Sequence, residues 1–303
     1  MSAPISKPGL FSLVDSIGKD ELRRLVVLAI EEDLGSGDLT SSTAVPPGTI
    51  VTATLLAKGA GRLAGLELFH EAFLVCDSSV EVTLFRADGE QVAPGDRVAE
   101  VRGDGRAVLV AERTALNFLQ QLSGVATLTA AYVEQVSGRA RILDTRKTTP
   151  FLRALQKYAV LCGGGDNHRI GLHDEAMIKD NHLDLAGMDL ESLTREVRGR
   201  LGREVPITSE ARDASEAEGA IRGGADVVLL DNMTVEEMSA LVPRLREIAK
   251  MSDRTVELEA SGGLTLDDVD AVAGTGIDRI SVGALTHSAP ALDLSLLVEV
   301  PRS

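Results

Sequence analysis

Beyond Gly138 the chain repeats one unit: a short apolar run, a polar or glycine-rich tip, and a stretch of helical spacing. The apolar runs are RILDT at 141–145, AMIKD at 176–180, VPITSE at 205–210, DVVLLD at 226–231, VELEA at 256–260 and DRISVG at 278–283. Short strands alternating with helices predict parallel pairing, because each parallel strand needs a crossover that a helix can fill. The pattern leaves an α/β barrel or an open doubly wound sheet. Thr149-Pro150 reads as the N-cap and first position of a helix through Leu155, and Thr265 with Asp268 as another helix start.

Upstream, the pattern differs. Residues 20–32 have helical spacing, and β-branched runs predict strands at 49–58, 79–86, near Val92 and at 97–101. Asp88-Gly89 is a hairpin signal. From 107 onward, apolar residues recur on one helix face; Gly124 should break that helix, and a second should run over 126–136. Residues before about Leu10 read as a loose tail.

The charge balance narrows function. The 31 Lys and Arg against 46 Asp and Glu give −15, a poor footprint for nucleic acid or an anionic membrane. No apolar run reaches a membrane span's length, and the N-terminus lacks the pattern of a signal peptide. Cys76 and Cys162 are too few for a disulfide framework, so a cytoplasmic location is expected.

In an acidic chain, any positive charge that handles an anion must be gathered locally. It gathers at the strand ends: Arg146 and Lys147 after the first run, Lys179 on the second, with His168 and Arg169 behind the Gly163-Gly164-Gly165 loop. An Arg fork grips a carboxylate or phosphate through two hydrogen bonds. Arg153 and Lys157, spaced i,i+4, read as solvated. Glu210 and Asp231 end the third and fourth runs, and as hard oxygen ligands they suit Mg²⁺. Ser261-Gly262-Gly263 and Gly283-Ala284 follow the last two runs, where backbone N–H groups can cradle a phosphate. Arg113 lies between Leu109 and Leu116 on an apolar part of its helix, and needs an anionic partner if buried. No Cys pair or His-Glu-x-x-His helix supports zinc.

These segments together resemble the quinolinate phosphoribosyltransferase family, the carboxylating nicotinate-nucleotide pyrophosphorylases. The match runs through Glu32-Asp33-Leu34-Gly35-x-Gly37-Asp38-Leu39-Thr40, Glu112-Arg113-Thr114-Ala115-Leu116-Asn117 and Ser123-Gly124-Val125-Ala126-Thr127. It continues through Asp144-Thr145-Arg146-Lys147-Thr148-Thr149-Pro150, Cys162-Gly163-Gly164-Gly165 with Asn167-His168-Arg169, and Ile178-Lys179-Asp180-Asn181-His182. Leu230-Asp231-Asn232-Met233, Glu259-Ala260-Ser261-Gly262-Gly263 and the segment from Ser281 to His287 complete it.

The resemblance implies an N-terminal α/β sandwich domain, here 1–120, and an incomplete α/β (TIM-like) barrel over 121–288, with 289–303 packing back on the first. It implies phosphoribosyl transfer from phosphoribosyl pyrophosphate to quinolinate, with decarboxylation, in a homodimer. Arg146, His168, Arg169 and Lys179 would hold the quinolinate carboxylates, with Arg113 given by the neighbouring subunit. Lys147, Glu210 and Asp231 would face phosphoribosyl pyrophosphate and Mg²⁺. Ser261, Gly262, Gly263, Gly283 and Ala284 would hold the 5-phosphate. The chain departs from the family at Thr208, where an acid is usual, at Leu161, where a basic residue is common, and at Asp166, an acid within the glycine loop. Two other readings are transfer to a different aromatic acid, and a non-catalytic anion-binding or phosphosugar-binding paralogue. The Glu210/Asp231 pair argues against the second, since anion binding gains nothing from carboxylates.

Overall fold

The computed structural model describes residues 13–299; the N-terminal tail expected before Leu10 lies outside them. The chain forms two compact units. The first comprises residues up to Ala130, Pro150–Gly164 and the segment from Ser288; the second comprises Ala131–Thr149 and Gly165–His287.

In the first unit, β1 (Ile50–Ala57), β2 (Gly61–Arg62), β3 (Glu81–Leu84), β4 (Gln91–Val92) and β5 (Arg97–Asp104) appear in chain order. A four-stranded antiparallel sheet sets β1 between β5 and the C-terminal strand Leu294–Glu299, with β3 outside β5. Alternation along β1 buries Val51, Ala53, Leu55 and Ala57 on one face, as period-2 patterning requires. Helices Lys19–Leu34 and Leu66–Cys76 pack together beside it.

Four details of this unit differ from the sequence reading. Asp88-Gly89 is not a hairpin turn, because β3 pairs with β5 and β4 with β2. Instead the Asp88 carboxylate accepts from the Gly65 and Leu66 N–H groups at 2.9 and 3.1 Å, capping helix Leu66–Cys76, and from Tyr158 Oη at 2.9 Å. Gly124 does not break its helix, which runs unbroken over Gly105–Val136. A Cβ at Gly124 would stand 2.1 Å from the Pro290 carbonyl oxygen, so glycine is there for close packing. The helix expected at Pro150 begins at Arg153, after Phe151 at φ 66°. Lys157 on that helix is 3% exposed, not solvated.

The second unit is an α/β incomplete barrel. Its strands are β6 (Arg141–Leu143), β7 (Ala176–Ile178), β8 (Ile207–Ala211), β9 (Val227–Asp231), β10 (Glu257–Ser261) and β11 (Arg279–Ser281). All pair in parallel, in the order β6-β11-β10-β9-β8-β7. Helices fill the crossovers and start on side-chain caps: Asp189 for Leu190–Leu201, Asp213 for Ala214–Gly223, and a Thr234/Glu237 capping box for Val235–Met251. Asp268 bonds back to Thr265, so regular helix starts only at Val269. Among the described residues no helix is long and apolar enough to cross a membrane.

Candidate active site

In the second unit, parallel register brings the carboxyl ends of the strands level: Ser261 lies beside Asp231, Ser281 beside Leu143 and Ile178 beside Ser209. Most of the expected site residues therefore share one mouth.

On the β6–β11 side, Val282 N–H donates to Leu143 at 2.9 Å and the Thr286 hydroxyl to the Lys147 carbonyl at 2.8 Å. The Lys147 stem lies over Gly283, where a Cβ would meet Lys147 Cδ at 3.1 Å. Glycine thus lets an exposed lysine lie against the turn leading into Ala284. On the β9–β10 side, Asn232 takes φ 55° and its Nδ2 donates to Asp231 Oδ2 at 2.6 Å. A Cβ on Gly262 would stand 2.2 Å from Asn232 Oδ1, and Gly262 and Gly263 both have positive φ. The Ser261-Gly262-Gly263 turn therefore depends on glycine. On the β7–β8 side, Lys179 is ion-paired with Glu210. Thr208 and Glu210 share one strand face, while Ser209 on the other meets Thr194 at 3.0 Å.

Arg146 and Arg169 are both half-buried. Burial and the like charge of Arg146 push the Arg169 guanidinium down from its ordinary value, against the negative charges of Glu175 and Asp174. His168 is buried behind Arg169. Its backbone N–H donates to the fully buried Asp144 at 2.9 Å, and its Nδ1 accepts from the Arg169 N–H at 2.7 Å. The proton then sits on Nε2, which lies 3.4 Å from Glu259 Oε1. His168 is therefore a support for the Arg169 backbone, engaged by protein on both ring nitrogens.

Glu259 is the part of this region that sequence reasoning left without a role. It is fully buried, and Arg279 Nε donates to it at 2.6 Å. Burial raises its carboxyl, but the His168 hydrogen bond and the Arg279 charge outweigh that and bring it down to about 2. Arg279 also reaches Glu257 at 3.2 Å, which Arg141 holds at 2.7 Å from its other side. The only sequence signal was period: Glu257 and Glu259 alternate with apolar residues on one strand face.

Other expectations resolve differently. Asp166 bridges beside Leu143 and meets Arg141 at 3.4 Å, so its carboxylate serves the barrel edge. A Cβ on Gly163 would meet the Ala126 carbonyl oxygen at 2.5 Å, so this glycine admits the close approach of a helix. His173 and His182 are exposed, and His182 Nδ1 accepts from the Lys179 N–H at 2.9 Å. Arg113 belongs to the first unit and is exposed, so the internal carboxylate that burial would demand is not required. Nothing in the structure explains Leu161.

Mg²⁺ has no ready-made cage: among the described residues no three His, Cys, Asp or Glu gather to hold a metal. Glu210 is engaged by Lys179, while Asp231 has one neutral donor on it. That donor set fits an ion bound through one or two carboxylates and completed by phosphate oxygens.

Comparison with known proteins gives a consistent result. The quinolinate phosphoribosyl transferase N-terminal domain model matches residues 38–123, and the C-terminal domain model residues 125–297. A nicotinate-nucleotide pyrophosphorylase (carboxylating) of Mycobacterium leprae is 42% identical over 285 residues, covering 92% of this chain and 96% of the relative. The chloroplastic protein of that name from Oryza sativa is 39% identical over 291 residues, covering 92% and 78%. The solved nicotinate-nucleotide pyrophosphorylase of Francisella tularensis superposes with a TM-score of 0.85 at 37% identity, covering 92% of this chain and 96% of that one.

Proposed function

The chain belongs to the quinolinate phosphoribosyltransferase family, and we propose that it carries out the carboxylating pyrophosphorylase reaction for which its relatives are named. It is a phosphoribosyltransferase of NAD biosynthesis. Quinolinate and phosphoribosyl pyrophosphate give nicotinate mononucleotide, pyrophosphate and carbon dioxide. The observation that carries this reading is the meeting of cationic and acidic side chains at one set of parallel strand ends, in a chain whose overall charge is −15.

The reaction needs no protein nucleophile. The pyridine nitrogen's lone pair forms the new bond to the ribose carbon as the bond to pyrophosphate oxygen breaks, so the enzyme contributes position and field. Arg146, Arg169 and Lys179 hold the two acceptor carboxylates, and His168 and Asp144 keep Arg169 in place. Lys147 takes charge from the departing pyrophosphate. Glu210 and Asp231 favour the cationic ribosyl centre, and the turns at Ser261-Gly262-Gly263 and Gly283-Ala284 hold the 5-phosphate. Asp231, with Glu210, would hold Mg²⁺ brought in on phosphoribosyl pyrophosphate, which would supply further charge neutralisation there. Once the nitrogen is quaternary, the adjacent carbon–carboxylate bond breaks. Carbon dioxide leaves, and the electron pair stays beside N⁺ until it takes a proton. Arg113, exposed on its helix, completes the carboxylate grip of a twofold partner. Free Cys76 and Cys162 accord with a reducing cytoplasm.

The test is product analysis. Carbon dioxide and nicotinate mononucleotide should appear in equal amounts from quinolinate, phosphoribosyl pyrophosphate and Mg²⁺. Turnover of nicotinate with none of quinolinate refutes the assignment.

A further inference from the structure

On the third barrel strand Thr208 has no charge of its own, and the structure sets a carboxylate against it from the segment that leads into β7. The Thr208 hydroxyl, fully buried, donates to Glu175 Oε1 at 2.6 Å. Glu175 immediately precedes β7, and the register sets Met177 beside Thr208, so the 175, 177 and 179 face of one strand meets the 208 and 210 face of the next. Two charged layers result: Lys179 with Glu210, and one step below them Glu175 with Thr208. Arg169 lies against the lower layer. Its Nη1 donates to the Glu175 carbonyl at 3.2 Å, and its Nη2 is 3.5 Å from Met177 Sδ.

We propose that Glu175, oriented by Thr208, is a positioning residue that keeps Arg169 assembled beside Arg146 before the acceptor arrives. Two guanidinium groups at one mouth repel each other, and Arg169 is already half-desolvated. The negative charges of Glu175 and Asp174 act against that repulsion. Asp174 is exposed and accepts from the Ile170 and Gly171 N–H groups at 2.6 and 2.9 Å, so it is committed to its own loop. Glu175 is the inward member, and its hydroxyl partner fixes where the charge sits.

The inference rests on Arg169 holding an acceptor carboxylate, so the experiment separates the two. Steady-state constants for quinolinate and phosphoribosyl pyrophosphate are measured for the wild type, Glu175→Gln, Thr208→Val and the exchange variant Glu175→Thr/Thr208→Glu, each with a melting curve. Glu175→Gln should raise KM for quinolinate about tenfold, the cost of ordering one long side chain as the acceptor binds in place of having it held beforehand. Its kcat and its KM for phosphoribosyl pyrophosphate should stay within about threefold of wild type. Thr208→Val should move KM the same way by less, and the exchange variant should recover most of the loss. A wild type that neither binds nor turns over quinolinate overturns the functional reading and this inference together. An active wild type overturns the inference alone if Glu175→Gln keeps its KM, if only kcat falls, or if a normally melting exchange variant shows no recovery.

Discussion

Replacing Glu259 with Gln removes a buried charge while keeping the side chain's shape, and the structure sets the size of the effect. The carboxyl lies at about 2 in the fold against an ordinary 4.5. At roughly 1.4 kcal/mol per pH unit, that gap corresponds to about 3 kcal/mol of stability. The sign follows from a folded value below the unfolded one. The contribution is complete above about pH 4.5 and is lost as pH falls from there through about 2. The side chain is fully buried, so solvent does not screen this value appreciably. In Glu259→Gln, Arg279 keeps Glu257 at 3.2 Å, which prevents a wholly uncompensated buried cation. Urea denaturation of both proteins at one protein concentration, at pH 7, 5, 4 and 3, tests this. The variant should be less stable by about 3 kcal/mol at pH 7, and by less than about half of that at pH 3. A difference that stays flat across this range, or a variant as stable as wild type at pH 7, refutes the argument that the Glu259 charge is held by Arg279 and His168.

Two further outcomes follow from the geometry and a third from the proposed function. Gly124→Ala should destabilise by about 1–3 kcal/mol despite alanine's better helix propensity, because its Cβ would stand 2.1 Å from the Pro290 oxygen; a rise in Tm would contradict this. Asp88→Ala should cost about 1–2 kcal/mol in denaturant titration by uncapping helix Leu66–Cys76, whereas an unchanged midpoint would show that water replaces the carboxylate. Arg113→Ala and Lys147→Ala should each be nearly inactive, but randomly reassorted mixed dimers should regain about a quarter of wild-type activity. No recovery in verified hybrids would place Arg113 in its own subunit's site or in a structural role.

The parallel architecture was legible because its signal is local. Each strand of the second unit is short and apolar, and each tip carries the charge or glycine that chemistry requires. Gly262 and Gly283 could be singled out for the same reason, and the structure adds what each glycine admits: Asn232 in one case, the Lys147 stem in the other. What failed was meaning that depends on distant sequence. Gly124 reads as a helix breaker until Pro290 is known to lie against it. Asp88-Gly89 reads as a hairpin until β4 is seen to pair with β2, freeing the aspartate to cap a helix that begins at Leu66.

The barrel interior makes the same point in energetic terms. Glu175, Glu259 and Arg279 are charged residues within or beside apolar strands, where patterning alone treats them as outward-facing. Glu259 and Arg279 are buried and Glu175 is half-buried, which is tolerable only because each meets a partner from elsewhere in the chain: Glu175 meets Thr208, and Glu259 meets Arg279 and His168. None of those pairs is closer than 20 residues in sequence. Near them Lys179 pairs with Glu210, and Arg169 meets the Glu175 carbonyl. An apolar residue in place of Asp144 would leave the buried His168 N–H without its acceptor, and one in place of Thr208 would take the hydroxyl from the Glu175 carboxylate. The motifs name residues at the strand ends one by one, whereas these pairs join residues that no single motif contains.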